Sequence, residues 1–556
     1  MSNMQANIKY VVHLMLENRS FDSLLGWLRW DGQARPKNHV PPLRSNEKEF
    51  YGLQGTEWLP SNYSYFLSNG PFTYKREPIT KIIPGSSWDY CEMPASDPGE
   101  EFEHVTAQLK AASYAPSTPM GYYLDYLTVY DVGSARDILG VFVPETLPCL
   151  SALASRFAVS DMWFSSVPTQ TNPNRAFSLC GTSLGRINNN DDLKTYRFCG
   201  ESYGNINNIF SVFNSFNATN PGVPPVTWKL YARWNWHDVA RDPAHPFESG
   251  WNSWQVGGEA GALCFNATKG KYYTPYMFPK GFDNLKWGGI GSIDDFKNDV
   301  AQNTLPSFSY IEPAFFPQTL DLSDLTDYHP PESLYAGEGF IKDIFNTITS
   351  NPKVWANTLL IITFDEHGGT YDHLMPPANA IPPDTNTNPN FNFKRYGVRI
   401  PTLLISPWVT PGTIFRAGYY PEVADKTLLP FDHTSVLATL CKWKGINYKS
   451  QGQFPNYYLG NRTAAAPTFD GVITNTSNPG KPNLAQHSCS AGLTGVAKRR
   501  ELLRSMTRGV AEITGQSEAE VAAQGTVEEI LKTCKTAAEL ESYFKDLAAK
   551  HGKSPA

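Results

Sequence analysis

Short apolar runs, each cut off by polar or turn-forming residues, punctuate this chain at about Tyr10 to Leu16, Phe157 to Asp161, Thr227 to Tyr231, Ser307 to Ile311, Thr358 to Phe364 and Thr402 to Ile405. Runs of that length predict strands, and the helix-period stretches between them predict an α/β fold. Thr358-Leu-Leu-Ile-Ile-Thr-Phe364 is continuously apolar rather than alternating, as a central parallel strand covered on both faces must be. Between the runs lie stretches rich in Pro, Gly, Asn and aromatic residues, roughly 30–130, 185–300 and 375–398. They are too long for simple connections and are expected to be insertions that shape a pocket rim. The pattern changes near the end, where Ala, Glu and Lys dominate and capping-box spacings recur at Ser517 and Glu520, Thr526 and Glu529, and Thr536 and Glu539. The expected organisation is one large domain over 1–490 and a small helical appendage over 491–556.

Composition narrows the class. Charged residues are 18% and aromatics 13% of the 556 residues, which excludes disorder, coiled coil and collagen. The balance of 47 basic against 53 acidic residues lacks the Lys/Arg excess that a nucleic-acid backbone demands, so no nucleic-acid partner is expected. No apolar run approaches the roughly 20 residues of a membrane span, so no transmembrane segment is expected, and contact with a membrane would be transient and at its surface. The basic cluster Lys498-Arg-Arg500 reads better as a solvated helix face than as an anion-binding one. Before the first apolar run there is no charged segment followed by an apolar stretch, so no signal peptide is expected in the chain as given. The eight cysteines show no CxxC spacing, which argues against a zinc ribbon and leaves disulfides and compartment open, as the sequence leaves oligomeric state open.

The chemistry is written where strands end, the place at which open α/β sheets bind ligands. The first strand stops at Glu17-Asn18, and the strand Thr358 to Phe364 stops at Asp365-Glu366-His367-Gly-Gly. Buried carboxylates need compensation, and a cation is the simplest common partner. Oxygen donors suit calcium, magnesium, manganese or iron, while the neighbouring histidines keep zinc in play. The plain alternative is that Asp365 and Glu366 cap a turn.

A hydroxyl comes from Thr171-Asn-Pro-Asn174-Arg175, where Thr171 has the residue type of an N-cap and Pro173 suits a first helical turn. A helix N-terminus favours an anion; Asn174 can donate to it, and Arg175 can pair with a phosphate or lock an acidic neighbour. Thr171 alone is a weak nucleophile that a cation would activate, and a merely capped helix is the alternative reading. His329 and His433 are candidates for phosphate contact, proton transfer or metal ligation. Trp228, Tyr231, Trp234 and Trp236 are candidates for a cation–π cage around a quaternary ammonium, with core packing the stronger reading.

Taken together, Glu17-Asn-Arg-Ser-Phe-Asp22, Thr171-Asn-Pro-Asn-Arg175, His329-Pro-Pro, Asp365-Glu-His-Gly-Gly369 with Tyr371-Asp-His373, and Asp432-His-Thr-Ser435 resemble, in order, the motifs of the phosphoesterase family. That family contains the bacterial and fungal non-haemolytic phospholipases C and acid phosphatase A, and is related in fold to alkaline phosphatase. The resemblance spans roughly residues 8 to 445. It implies an alkaline-phosphatase-like, mostly parallel central sheet flanked by helices, and a divalent or trivalent metal ion held by Glu17, Asn18, Thr171, Asp365 and Glu366. It also implies Thr171 as nucleophile with Asn174 and Arg175 beside it, His329 on the phosphate, and His433 as a looser match. One departure concerns Asp97-Pro-Gly-Glu100, where members carry a histidine at the last position: either Glu100 takes over in substrate binding or His104 reaches in one turn later. The activity implied is hydrolysis of a small phosphoester or a phospholipid through a phosphothreonyl intermediate. A phospholipase C acting on choline phospholipids competes with a broad acid phosphatase; a sulfatase-like hydrolase and a non-catalytic binding protein on this fold rank lower.

Overall fold

The computed structural model describes residues 2–29, 36–55, 97–110, 120–129, 137–189, 202–233, 273–315, 325–422 and 427–485 apart from a few interior positions, with isolated stretches between 64 and 94 and between 543 and 550. The proposed appendage over 491–556, and the residues Trp234 and Trp236, therefore fall almost wholly outside the described residues.

A nine-stranded sheet organises the chain. In chain order its strands are β1 (Tyr10–Leu16), β2 (Asn38–Val40), β3 (Ala158–Ser160), β4 (Trp228–Ala232), β5 (Gly288–Ser292), β6 (Phe308–Glu312), β7 (Thr358–Phe364), β8 (Thr402–Ile405) and β9 (Thr413–Phe415). Their spatial order is β2-β9-β3-β8-β7-β1-β6-β4-β5. Only β8 runs against its neighbours, pairing antiparallel with both β7 and β3, so the sheet is mostly parallel as expected. The six apolar runs all lie in it. The sequence reading missed β2, β5 and β9: Gly288-Gly-Ile-Gly-Ser, at a sheet edge, carries one branched side chain among glycines, and β2 and β9 are only three residues long.

β1 and β7 are central and parallel, in register from Tyr10 opposite Thr358 to Leu16 opposite Phe364. Every residue of β7 is buried, as its unbroken apolar run requires. The helices used below are α1 (Phe21–Leu25), α2 (Phe102–Lys110), α3 (Met120–Val129), α4 (Thr171–Cys180) and α5 (His433–Trp443). One large apolar core includes the buried faces of the sheet, with Phe210, Trp228, Phe308 and Tyr310 clustered at the β4–β6 side. Among the described residues no helix is long and apolar enough to cross a membrane.

Candidate active site

Because β1 and β7 are adjacent and parallel, their last residues leave the sheet side by side: Glu17 and Asn18 from one, Asp365 and Glu366 from the other. The Asn18 backbone has φ of 55°, and its N–H donates to Asp365 Oδ1 at 3.1 Å. Gly368, at φ 56°, lies so close beneath the Asn18 carbonyl that a Cβ would overlap it, which explains a glycine there. Gly368 N–H donates to Glu366 Oε2 at 2.7 Å.

The guanidinium of Arg175, in α4, is wholly buried between these exits. It binds Asp365 Oδ2 through Nε at 3.0 Å and Glu17 Oε1 through Nη2 at 3.1 Å, and stacks 4.6 Å from the Phe315 ring. Of the two roles the sequence allowed it, the structure selects the lock on acidic neighbours. Burial, reinforced by Asp365 and Asp327, still pushes Glu17 well above the ordinary carboxylate range, against the pull of Arg175. Burial likewise raises Glu366, with Asp365 adding to it. Glu366 Oε1 is fully buried and has no hydrogen-bond partner among the described residues.

Thr171 opens α4 but is not its N-cap. That position belongs to Gln170, whose side chain makes no cap bond, so Thr171 is the first helical residue with its hydroxyl free to face the strand exits. Its Oγ1 donates to Asn18 Oδ1 at 3.4 Å. The first-turn amides offer less to an anion than expected, since the Asn172 N–H goes to Asn189 Oδ1 at 2.8 Å and Pro173 has none. Asn174 also turns away from the site: its Nδ2 donates to the carbonyls of Val167, Thr169 and Gln170, and its Oδ1 accepts from Val167 N–H. It shapes the 167–170 loop that delivers Thr171.

His329 does come to the site. Its Nδ1 lies 2.6 Å from the Pro330 carbonyl, which can only accept, so Nδ1 carries the proton and Nε2 presents its lone pair to Asn18 Nδ2 at 2.8 Å. The same Asn18 Nδ2 donates to Glu100 Oε2. Of the two candidates in the departing motif, Glu100 is therefore in the site, whereas His104 is held in α2 by Asp125 of α3, Nδ1 to Oδ1 at 2.9 Å. His433, first residue of α5, donates Nε2–H to the Asp365 carbonyl at 2.6 Å; burial lowers its pKa to about 4, and it braces the β7 exit from behind. Tyr231 is a correction. It lies buried in β4 with its hydroxyl on Asp299 Oδ2 at 2.6 Å, and Trp228 is equally buried, so neither faces a ligand.

The sequence reading missed several neighbours. Asp327 lies behind Glu17 and accepts the His329 N–H. Gln170 donates to Glu100 Oε1 at 3.3 Å. A chain runs from His104 through Asp125 and Gln108 to His367, whose Nδ1 is 3.2 Å from Glu366 Oε2. Gln108 carries no signal in sequence, because an amide on a helix reads as solvated, yet it is 1% exposed.

Two groups of donors gather tightly enough for a cation among the described residues: Asp97, Glu100 and His329 beside Asn18, and Asp22, Asp372 and His373. The second already contains its counter-charge, Arg399, bonded to Asp22 at 2.9 Å and to Asp372 at 3.0 Å. Glu17, Asp365 and Glu366 do not gather in this way, because Arg175 holds the first two. The chemistry of the donor set nevertheless fits a hard cation: Glu366 has a buried oxygen without a hydrogen-bond partner, Glu17 and Glu366 are raised by burial, and the neutral oxygens of Asn18 and Thr171 meet each other at the same strand exits.

A family model described as the phosphoesterase family matches residues 8–447. Non-specific phospholipase C1 of Arabidopsis thaliana is 30% identical over 475 residues, covering 84% of this chain and 71% of that one. Non-specific phospholipase C6 of the same plant is 28% identical over 486 residues, covering 85% and 74%. The non-hemolytic phospholipase C of Pseudomonas aeruginosa is 26% identical over 492 residues, covering 83% of this chain and 57% of that protein. Among solved structures, an alkaline phosphatase superfamily protein from Vibrio parahaemolyticus matches at 13% identity over 70% of this chain and 76% of that one, with a TM-score of 0.28, too low to carry an argument.

Proposed function

This chain belongs to the phosphoesterase family and is a phosphoric ester hydrolase; from that premise we propose that it is an enzyme of the phospholipase C type, cleaving phosphodiesters of the phospholipid class with Thr171 as nucleophile. The observation that carries the proposal is the placement of Thr171 Oγ1 on Asn18, at the meeting point of two strand exits that present Glu17, Asn18, Asp365 and Glu366. The substrate class is supported by the phospholipase C relatives, which align along most of this chain. It is also supported by the few donors left for a dianion, since Arg175 is committed to carboxylates, the Asn172 N–H goes to Asn189 and Pro173 has no N–H.

In this mechanism Thr171 gives its proton to solvent and its Oγ attacks phosphorus in line; the new oxygen–phosphorus bond forms as the bond to the alcohol breaks, the departing alkoxide takes a proton from water, and a second water later cleaves the threonyl phosphodiester to release the phosphoryl headgroup and restore the hydroxyl. Asn18 orients the hydroxyl, with its amide held by Glu100 and His329. Arg175 and His433 fix Asp365, and the Asn174 amide fixes the loop before Thr171. Positioning of this kind supplies a large part of the barrier reduction. A cation held by Asn18, Glu366, Thr171 and their neighbours Glu17 and Asp365 would supply the charge that lowers the hydroxyl's pKa and offsets the phosphoryl oxygens. Among the described residues Thr171 has no carboxylate or imidazole base within hydrogen-bond distance, which is why such a charge is needed.

The test is hydrolysis of phosphatidylcholine vesicles and p-nitrophenyl phosphorylcholine by the parent protein and by Thr171→Ala, each with chelator or added divalent ions. Chelator-sensitive turnover lost in Thr171→Ala, with the melting temperature kept, is the expected result. Cation-dependent turnover surviving in Thr171→Ala would exclude the covalent route. A clear preference for p-nitrophenyl phosphate would favour the monoesterase instead.

A further inference from the structure

We propose that Gln108 is a positioning residue for the cation site: acting through His367, its side-chain amide turns the Glu366 carboxyl so that one oxygen is tied to protein and the other is left for a cation. The inference rests on the reading of the site given above, in which Glu366 is a ligand. Gln108 lies late in α2 and is buried, so each end of its amide needs a partner. Nε2 donates to the Gly99 carbonyl at 2.7 Å and to Asp125 Oδ2 at 2.8 Å. The carbonyl can only accept, which fixes the amide with Oε1 toward His367 Nε2 at 2.9 Å. An amide oxygen also only accepts, so His367 Nε2 carries a proton and Nδ1 is the atom that meets Glu366 Oε2, at 3.2 Å.

The hydrogen bond from His367 and the Gly368 N–H, at 2.7 Å, together occupy Glu366 Oε2. Oε1 of the same carboxyl is the buried atom with no hydrogen-bond partner among the described residues. The parts that set this orientation are themselves fixed. Gly121 brings α3 so near the Gln108 carbonyl that a Cβ would overlap it, and a Cβ on Gly369 would stand 3.2 Å from Gln108 Nε2. The Tyr122 ring stands edge-on to His367, 6.2 Å between centroids. Asp125 is tied at its other oxygen to His104 Nδ1 at 2.9 Å. None of the Gln108 hydrogen bonds reaches Glu366 or Thr171, so its effect on the site passes through His367. Removing the amide leaves the imidazole free to turn and the carboxyl held by Gly368 alone, and a cation must then order both. Outer partners of this kind are worth 10–100-fold in metal affinity; with Gly368 still in place the lower end applies, about tenfold.

The experiment uses Q108M, which keeps length, volume and helix propensity while removing the amide, together with H367L, the Q108M/H367L double variant and E366Q. Each full-length protein, stripped of metal and checked for folding by circular dichroism, is titrated calorimetrically at fixed pH with calcium, magnesium, manganese and zinc chlorides. The cation that binds the parent most tightly is the one compared. Its Kd is expected to rise about tenfold in Q108M and at least about tenfold in H367L, with the double variant within about twofold of H367L alone. A general loosening of the α2–α3 packing would instead make the two losses multiply. In turnover of p-nitrophenyl phosphorylcholine, the kcat that Q108M loses at limiting cation should return to within about threefold of the parent at saturating cation, with the ester KM little changed. If Q108M does not fold, Q108N keeps an amide on α2 but withdraws it from His367 by one methylene, and should move Kd in the same direction. An unmoved Kd in the folded variant, or losses that multiply, overturns the role of Gln108, while cation binding that is lost in E366Q keeps the reading of the site in place. A parent that binds none of the four cations, or binds them equally well as E366Q, overturns Glu366 as a ligand and this inference with it.

Discussion

Arg175 shows how one side chain is decided by its surroundings. In sequence it follows a candidate nucleophile and is equally suited to phosphate or to carboxylates; in the fold it is buried between Glu17 and Asp365 at 3.1 and 3.0 Å. Arg175→Met keeps the volume and removes the charge, leaving two buried carboxyls without their partner. We expect a loss of roughly 3–5 kcal/mol in chemical denaturation, the range for breaking a buried pair on one side. A loss below about 1 kcal/mol would show that protonation of Glu17 absorbs the change. Gly368→Ala tests the backbone in the same way. At φ 56° and against the Asn18 carbonyl, the added methyl should cost roughly 1–3 kcal/mol and lower kcat more than it raises KM, since it displaces Asn18.

The exits of β1 and β7 act as a pair, and their electrostatics predict a pH dependence of cation binding. In the cation-free protein Glu17 and Glu366 sit above their ordinary values because burial penalises their charge. The folded state therefore holds protons that the unfolded chain has released, and these two groups weaken the fold as pH rises above 4.5. A cation must displace those protons, so its affinity should rise with pH, and chelation should lower the melting temperature more at pH 8 than at pH 5. Calorimetric titration with magnesium or calcium in two buffers of different ionisation enthalpy should reveal proton release; no buffer dependence would place the cation away from these carboxyls. The strands themselves were legible because Thr358 to Phe364 and Tyr10 to Leu16 are apolar enough to announce burial. The edge strand Gly288–Ser292 was not, because its pairing with Trp228–Ala232 is a backbone ladder to which its glycines add no side-chain signal.

Across the fold, buried neutral histidines set the acid limit. Burial lowers His13 from 6.5 to about 3, with its Nε2 on Thr363 Oγ1 at 2.7 Å. Between those values the unfolded chain binds a proton that the folded chain refuses, so His13 makes stability fall as pH drops from 6.5 toward 3. Replacing it by Gln should flatten the stability–pH curve in that window by up to about 1.4 kcal/mol per pH unit relative to the parent. Equal slopes would mean that the imidazole is hydrated. The family match ends at residue 447, so a chain cut after residue 490 is expected to keep the melting transition and the esterase activity; loss of both would make 491–556 part of the catalytic fold.

Local information was enough for the six apolar strands and for the residue types at their ends, because apolar runs and the polar groups that stop them are contiguous in the chain. It was also enough to place Thr171 at the start of a helix. Partnership was another matter. Asn18 meets Asp365 from 347 positions away and Glu100 from 82, and only the packed sheet brings them together. The choice of Glu100 over His104, the turning of Asn174 into its own loop, and the burial of Tyr231 on Asp299 each depend on which donor or acceptor stands within about 3 Å after folding. Hydrogen bonds and buried charges act over such short distances that sequence can nominate the groups, while the tertiary structure assigns their partners.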